Sequence, residues 1–185
     1  MFTLKRVLLV WIVWYLGAIS ITQAATDCNE VTEIYPAECE SLLELYHSTD
    51  GANWKNNEGW NVTNTPCSWK GITCDYGVTW IELSSNQLTG AIPNFNALPN
   101  LQQLYLYSNQ LTCMIPVYSN TLINLTVLDI RNNPLCKKAD YDYARWPIKQ
   151  SRWNDETTWQ AQLETFPICE APTTGEETDD EIFTI

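Results

Sequence analysis

Three groups of residues in this chain have types and spacings that suit chemistry. Glu82 and Asp129 are carboxylates, and an inverting glycosidase needs two such groups roughly 6.5–9.5 Å apart. Acids on a strand face are far more often plain solvated surface, and nothing in the pattern around them implies a pocket. Trp80, Tyr105 and Tyr107 offer flat rings that stack on sugars or anchor protein partners. Seven cysteines stand against one histidine, His47. A Cys/His zinc site needs more imidazole than that. His47 falls near the end of a predicted helix, where a surface role outweighs nucleophile activation. No catalytic residue, metal site or cofactor is therefore expected.

The elements that position these residues follow from a repeat. VTWIELSSNQL (78–88), LQQLYLYSNQL (101–111) and LTVLDIRNNPL (125–135) place apolar residues and one asparagine at identical offsets, with starts 23 and 24 residues apart. That interval lies in the window of about 20–29 residues typical of leucine-rich repeats. The alternation Leu104-x-Leu106 has the period of a half-buried strand. Copies stacked sideways share a parallel hydrogen-bond ladder and one core. Asn86, Asn109 and Asn133 then have a reason. The chain leaves each strand through the interior, where unpaired backbone groups cost roughly 1–3 kcal/mol each. A carboxamide carries both donor and acceptor, so each can serve its own coil and the next.

The ends read differently. Lys5 and Arg6 precede the apolar run VLLVWIVWYLGAISI (7–21), and TQA closes at Ala24, the layout of a secretory signal peptide. The run is short against the ~20 apolar residues of a membrane span, which leaves an uncleaved anchor as the alternative. The full chain carries −12; with the cationic Lys5 and Arg6 set aside, residues 25–185 carry −14, and six of those charges fall in EAPTTGEETDDEIFTI (170–185). That tail lacks periodicity and reads as disordered. The remaining body, at −8, excludes a nucleic-acid partner, since phosphate binding requires a basic patch.

A stacked array has two raw ends that need covers. Residues 38–74 supply a helical apolar face (Leu42, Leu43, Leu45, Tyr46), a stop at Asp50-Gly51, the large rings of Trp54, Trp60 and Trp69, and CSWKGITC. This segment resembles the N-terminal cap of plant-type leucine-rich repeat proteins, and NQLTGAIP (86–93) resembles their repeat consensus. The resemblance covers about residues 36–135. It implies an α/β repeat fold: a short right-handed solenoid with a parallel sheet and helical N- and C-terminal caps. The expected divisions are a signal peptide (1–24), an N-terminal cap (25–77), three repeats (78–135), a C-terminal cap (136–169) with a helix within 155–166, and the acidic tail (170–185). Only three repeats are recognisable, and Cys113 replaces the consensus glycine that Gly90 supplies in the first. The pairs expected from the caps are Cys28–Cys39, Cys67–Cys74 and Cys136–Cys169, as suits an exported protein. Cys113 is left as a buried free thiol; the alternative is a bridge to Cys136.

In this fold the leucines face inward and the intervening strand residues form a concave face. The candidate partner-binding residues are Trp80, Glu82 and Ser84, then Gln103, Tyr105 and Tyr107, then Val127, Asp129 and Arg131. The resemblance implies a secreted, non-enzymatic, receptor-like or inhibitor-like module that binds a protein or peptide. The alternative is a carbohydrate-binding protein using exposed Trp and Tyr; the expectation for Trp54, Trp60 and Trp69 is cap packing. Two sequons, at Asn61 and Asn124, would be glycosylated in a eukaryotic source.

Overall fold

A computed structural model describes residues 25–116, 122–143, 148 and 159–169. The expected signal segment and acidic tail lie outside the described residues, as do 151–158. Helix α1 (Pro36–Ser48) opens with proline in its first turn, while the Glu38 carboxylate reaches back to the Tyr35 N–H at 3.1 Å. Such a return contact satisfies a donor the helix itself leaves unpaired. Thr49 ends it, its hydroxyl donating to the Leu45 carbonyl at 2.6 Å. Cys39, Leu42 and Leu45 form the buried stripe.

Strands β1 (Ile72–Cys74), β2 (Val78–Glu82), β4 (Gln103–Tyr105) and β6 (Val127–Asp129) form one sheet in the order β1-β2-β4-β6. β1 is antiparallel to β2, whereas β2, β4 and β6 are parallel. A smaller parallel pair, β3 (Thr89–Ala91) and β5 (Gln110–Thr112), lines the return path of the first two coils. The register Ile81↔Leu104↔Leu128 stacks the inward residues into a column. Leu83, Leu88, Leu106, Leu111, Ile130 and Leu135 complete the core alongside it. Among the described residues, helices occur only in the caps. The second, α2 (Trp159–Glu164), falls within the 155–166 stretch expected to be helical, of which 155–158 lie outside the described residues.

Each strand exits through the same backbone device. Ser85, Ser108 and Asn132, one residue before each ladder asparagine, all adopt positive φ, at 55°, 55° and 54°. That left-handed step breaks the alternation and directs the carboxamide inward. Asn109 Oδ1 accepts from the Asn86 and Leu88 N–H groups, and its Nδ2 donates to the Leu83 and Leu106 carbonyls. Asn133 repeats this with the Leu111 N–H and the Leu106 and Ile130 carbonyls. Asn86 bonds both backbone groups of Asn56 in the cap. Asn109 and Asn133 therefore serve their own coil and the preceding one, and Asn86 serves the cap ahead of it, whereas the sequence assigns each amide to its own coil and the following one.

The disulfides join Cys28 to Cys39, Cys67 to Cys74 and Cys136 to Cys169. Cys113 is free, but it is exposed rather than buried. Its φ of 68° interrupts the in-out alternation, and Leu111 and Ile115 on either side fill the interior instead. The equivalent Gly90 has φ 72° and lies against the Ser48 carbonyl at the end of α1, so a side chain is excluded there.

Candidate recognition surface

The nine predicted face residues form three rows across the parallel strands. Trp80, Gln103 and Val127 are in register, as are Glu82, Tyr105 and Asp129. Backbone bonds from Ser85 to Tyr107 and from Ser108 to Arg131 place Ser84, Tyr107 and Arg131 at the next level. The topology thus brings six of the nine onto one sheet and the other three side by side where the chain leaves it.

Exposure separates them. Trp80, Glu82, Ser84, Gln103, Tyr107 and Arg131 are half-buried or exposed. Tyr105, Val127 and Asp129, expected to be accessible, are only 3%, 4% and 0% exposed. Side chains on neighbouring strands about 4.8 Å apart are close enough to cover one another. Trp80 packs on Tyr105 with ring centroids 5.6 Å apart, and the Tyr105 hydroxyl donates to Gln103 Oε1 at 2.9 Å. Arg131 lies along Asp129 as a fork, Nε to Oδ1 at 3.0 Å and Nη2 to Oδ2 at 2.8 Å. Bidentate pairs of this kind are the stronger class of charge-assisted bond. The Trp80 indole nitrogen and the Ser84 hydroxyl are buried and have no hydrogen-bond partner among the described residues.

The carboxylate pair does not assemble into an acid-base couple. Tyr105 stands between Glu82 and Asp129 in their row, and Asp129 is inaccessible and committed to Arg131. His47 is exposed on α1 beside the Tyr46 ring. Among the described residues no cluster of His, Cys, Asp and Glu could hold a metal ion.

Two buried side chains bond the backbone of the sheet, one at β2 and one beside the edge strand β6. Glu38, 2% exposed, accepts the Val78 N–H at 3.0 Å through Oε1. Beside β6 Gln162, fully buried, accepts the Ile130 N–H at 2.7 Å and donates to the Leu128 carbonyl at 2.8 Å. A second closure links Lys137 to Pro167 and Cys169 by backbone bonds. The Gln162 and Lys137 contacts replace the ladder that a further coil would have made beyond β6.

Residues 36–75 match the family described as leucine rich repeat N-terminal domain, and residues 78–116 and 99–141 match leucine rich repeats (2 copies). The chain is a leucine-rich repeat protein of the plant type. It is 35% identical over 121 residues to Serine/threonine-protein kinase BRI1-like 1 of Arabidopsis thaliana, covering 63% of this chain. It is 31% identical over 106 residues to Pollen receptor-like kinase 2 of the same plant, covering 43% of this chain. The aligned stretches span only 10% and 16% of those relatives' own lengths. Among solved structures, the crystal structure of the BIR3 - SERK2 complex from Arabidopsis thaliana superposes with a TM-score of 0.40 at 26% identity, covering 51% of this chain and 55% of that one.

Within this leucine-rich repeat chain the cap tryptophans are structural. Trp54, Trp60 and Trp69 are 5%, 1% and 1% exposed and pack ring to ring at 4.9 Å spacings. Their indole N–H groups donate to Thr49 O, Lys70 O and Thr63 Oγ1, so neither face nor donor is left for a sugar. Sequence reasoning missed Glu38 and Gln162. Glu38 carries a partial signal, since an acid two residues after Pro36 is a first-turn capping position. Gln162, in a short polar helix, carries none.

Proposed function

We propose that this chain is an extracellular, non-enzymatic recognition module that docks a protein or peptide on its parallel sheet face. The observation that carries the reading is the set of accessible side chains along three adjacent strands and their exits: Trp80 and Glu82 on β2, Gln103 on β4, and Tyr107 and Arg131 two residues past β4 and β6. Aromatic and arginine side chains give large contact area for little lost entropy, which makes them interface anchors. The paired strands beneath them are fixed by the asparagine ladder, so the face is preorganised. The similarity to repeat segments of plant receptor-like kinases supports a receptor-like role. The signal-like residues 1–24 and the three disulfides support an extracellular location. Among the described residues no helix is long and apolar enough to cross a membrane.

Three strands at about 4.8 Å spacing make a strip only some 15–20 Å wide, so the partner is engaged through few anchors and each matters. The test selects peptides from a displayed random library on the disulfide-intact protein, then measures binding to Trp80→Ser and Tyr107→Ser variants. The expected result is a loss of about tenfold or more in each variant, the size of a typical anchor truncation. Selected peptides that bind both variants unchanged overturn the sheet-face reading.

A further inference from the structure

The two most exposed aromatic rings among the large hydrophobic side chains described, Tyr35 at 76% and Tyr76 at 95%, line one cleft of about 310 Å³ on the N-terminal cap. Ile34 and Pro36 give the cleft apolar wall, and the carboxylates of Glu33 and Glu38 give it negative charge. It is built from segments distant in sequence: the turn entering α1 and the loop between β1 and β2.

Its parts are held in place. The Asn100 amide donates to the Tyr76 carbonyl at 2.8 Å, and the Asp75 N–H donates to Gly77 O. Gly77 has φ 124°, and a Cβ there would stand 2.7 Å from Glu38 Oε1. The glycine lets the loop backbone close over the buried carboxylate. Glu38 accepts one N–H on each oxygen, from Val78 and Tyr35, and Glu33 Oε2 accepts the Cys67 N–H at 3.1 Å. Neither carboxylate has a cationic partner, for among the described residues the one ion pair is Arg131–Asp129. A buried carboxylate compensated only by backbone dipoles gains further from a cation placed at its cleft.

We propose that this cleft binds the arginine side chain of a basic segment on a partner protein. Tyrosine faces attract a guanidinium through their negative quadrupole. Ile34 and Pro36 suit the methylene stem, which buries along apolar surface while its head stays polar. The planar, weakly hydrated guanidinium stacks where an ammonium does not. The body's net −8 over residues 25–169 draws cationic segments toward the protein. This cap site is independent of the sheet face, and either reading can fail without the other.

The experiment titrates the isotope-labelled, disulfide-intact protein with the blocked tripeptide Gly-Arg-Gly and with its neutral citrulline counterpart, following backbone amide shifts. The expected result is saturable movement of the Tyr35, Tyr76 and Gly77 amides with the arginine peptide, and much weaker binding of the citrulline peptide. Tyr76→Ala and Glu33→Gln each weaken the arginine peptide about threefold; Trp80→Ser leaves it unchanged. Tyr76 is almost fully solvated, so its truncation does not threaten the fold. Equal binding of the two peptides, shifts confined to other residues, or an unaffected Tyr76→Ala variant overturns the proposal.

Discussion

Gln162 completes the hydrogen bonding of Ile130, accepting its N–H at 2.7 Å while donating to the carbonyl of Leu128 two residues earlier. One side chain thus stands in for a missing strand at the edge of β6. Truncation strands two buried backbone groups, each costing roughly 1–3 kcal/mol. Gln162→Ala is expected to lower unfolding free energy by about 2–4 kcal/mol in denaturant titration. Amide exchange at Ile130 should accelerate more than at Leu104, whose strand remains paired on both sides. Uniform exchange along the sheet would show that the cap is not closed by this contact.

Asn109 carries a larger share of stability than Asn133. It is buried and makes four strong contacts to Leu83, Asn86, Leu88 and Leu106, whereas Asn133 is half-buried. Asn109→Ala is expected to cost about 3–5 kcal/mol, and Asn133→Ala less. A reversed order in chemical denaturation would mean that the middle coil is not the centre of the ladder.

Cys113 occupies a left-handed conformation that costs an ordinary side chain about 1–2 kcal/mol. Cys113→Gly is expected to raise stability by about 1 kcal/mol, because glycine adopts that region freely. The folded protein should also react with one equivalent of a thiol reagent without denaturant. A stability loss in Cys113→Gly would point to a packing role for the thiol.

Tyr143 gives the fold a dependence on alkaline pH. Its hydroxyl accepts the Lys138 N–H at 3.0 Å and donates to the Ile115 carbonyl at 3.2 Å. Burial raises its pKa above the ordinary value of 10.0, against a lowering by the Lys138 bond. The folded state then keeps its proton where the unfolded chain has lost it. The contribution is complete below pH 10 and falls away as pH climbs from 10 toward the raised folded value. Comparing thermal stability of Cys113→Ser with Cys113→Ser/Tyr143→Phe should show a gap that is widest near neutrality and narrows above pH 10. A constant gap would remove the titration argument.

Much of the architecture was legible because a repeat states it three times. The 23- and 24-residue intervals of Asn86, Asn109 and Asn133 impose one coil geometry, since a polar residue at a fixed place among leucines must satisfy the same buried backbone turn each time. The alternation around Leu104 and Leu128 likewise determined which side chains share the sheet face. Alternation assigns a face, however, and says nothing about what covers it. That Tyr105 is shielded, by contacts that include Trp80, depends on how neighbouring strands meet, and that Asp129 is shielded depends on contacts that include the fork of Arg131 two residues on. That Cys113 meets solvent depends on one positive φ.

The sequence by itself determined the stacked coil and the column of amides, because those arise from local period and from the cost of unpaired backbone groups. Only the tertiary structure decided how the array stops. Glu38 and Gln162 are ordinary helix residues until folding carries the carboxylate to the Val78 N–H in β2 and the carboxamide to the unpaired edge at Ile130, meetings between segments 40 and 32 residues apart that no short-range pattern encodes.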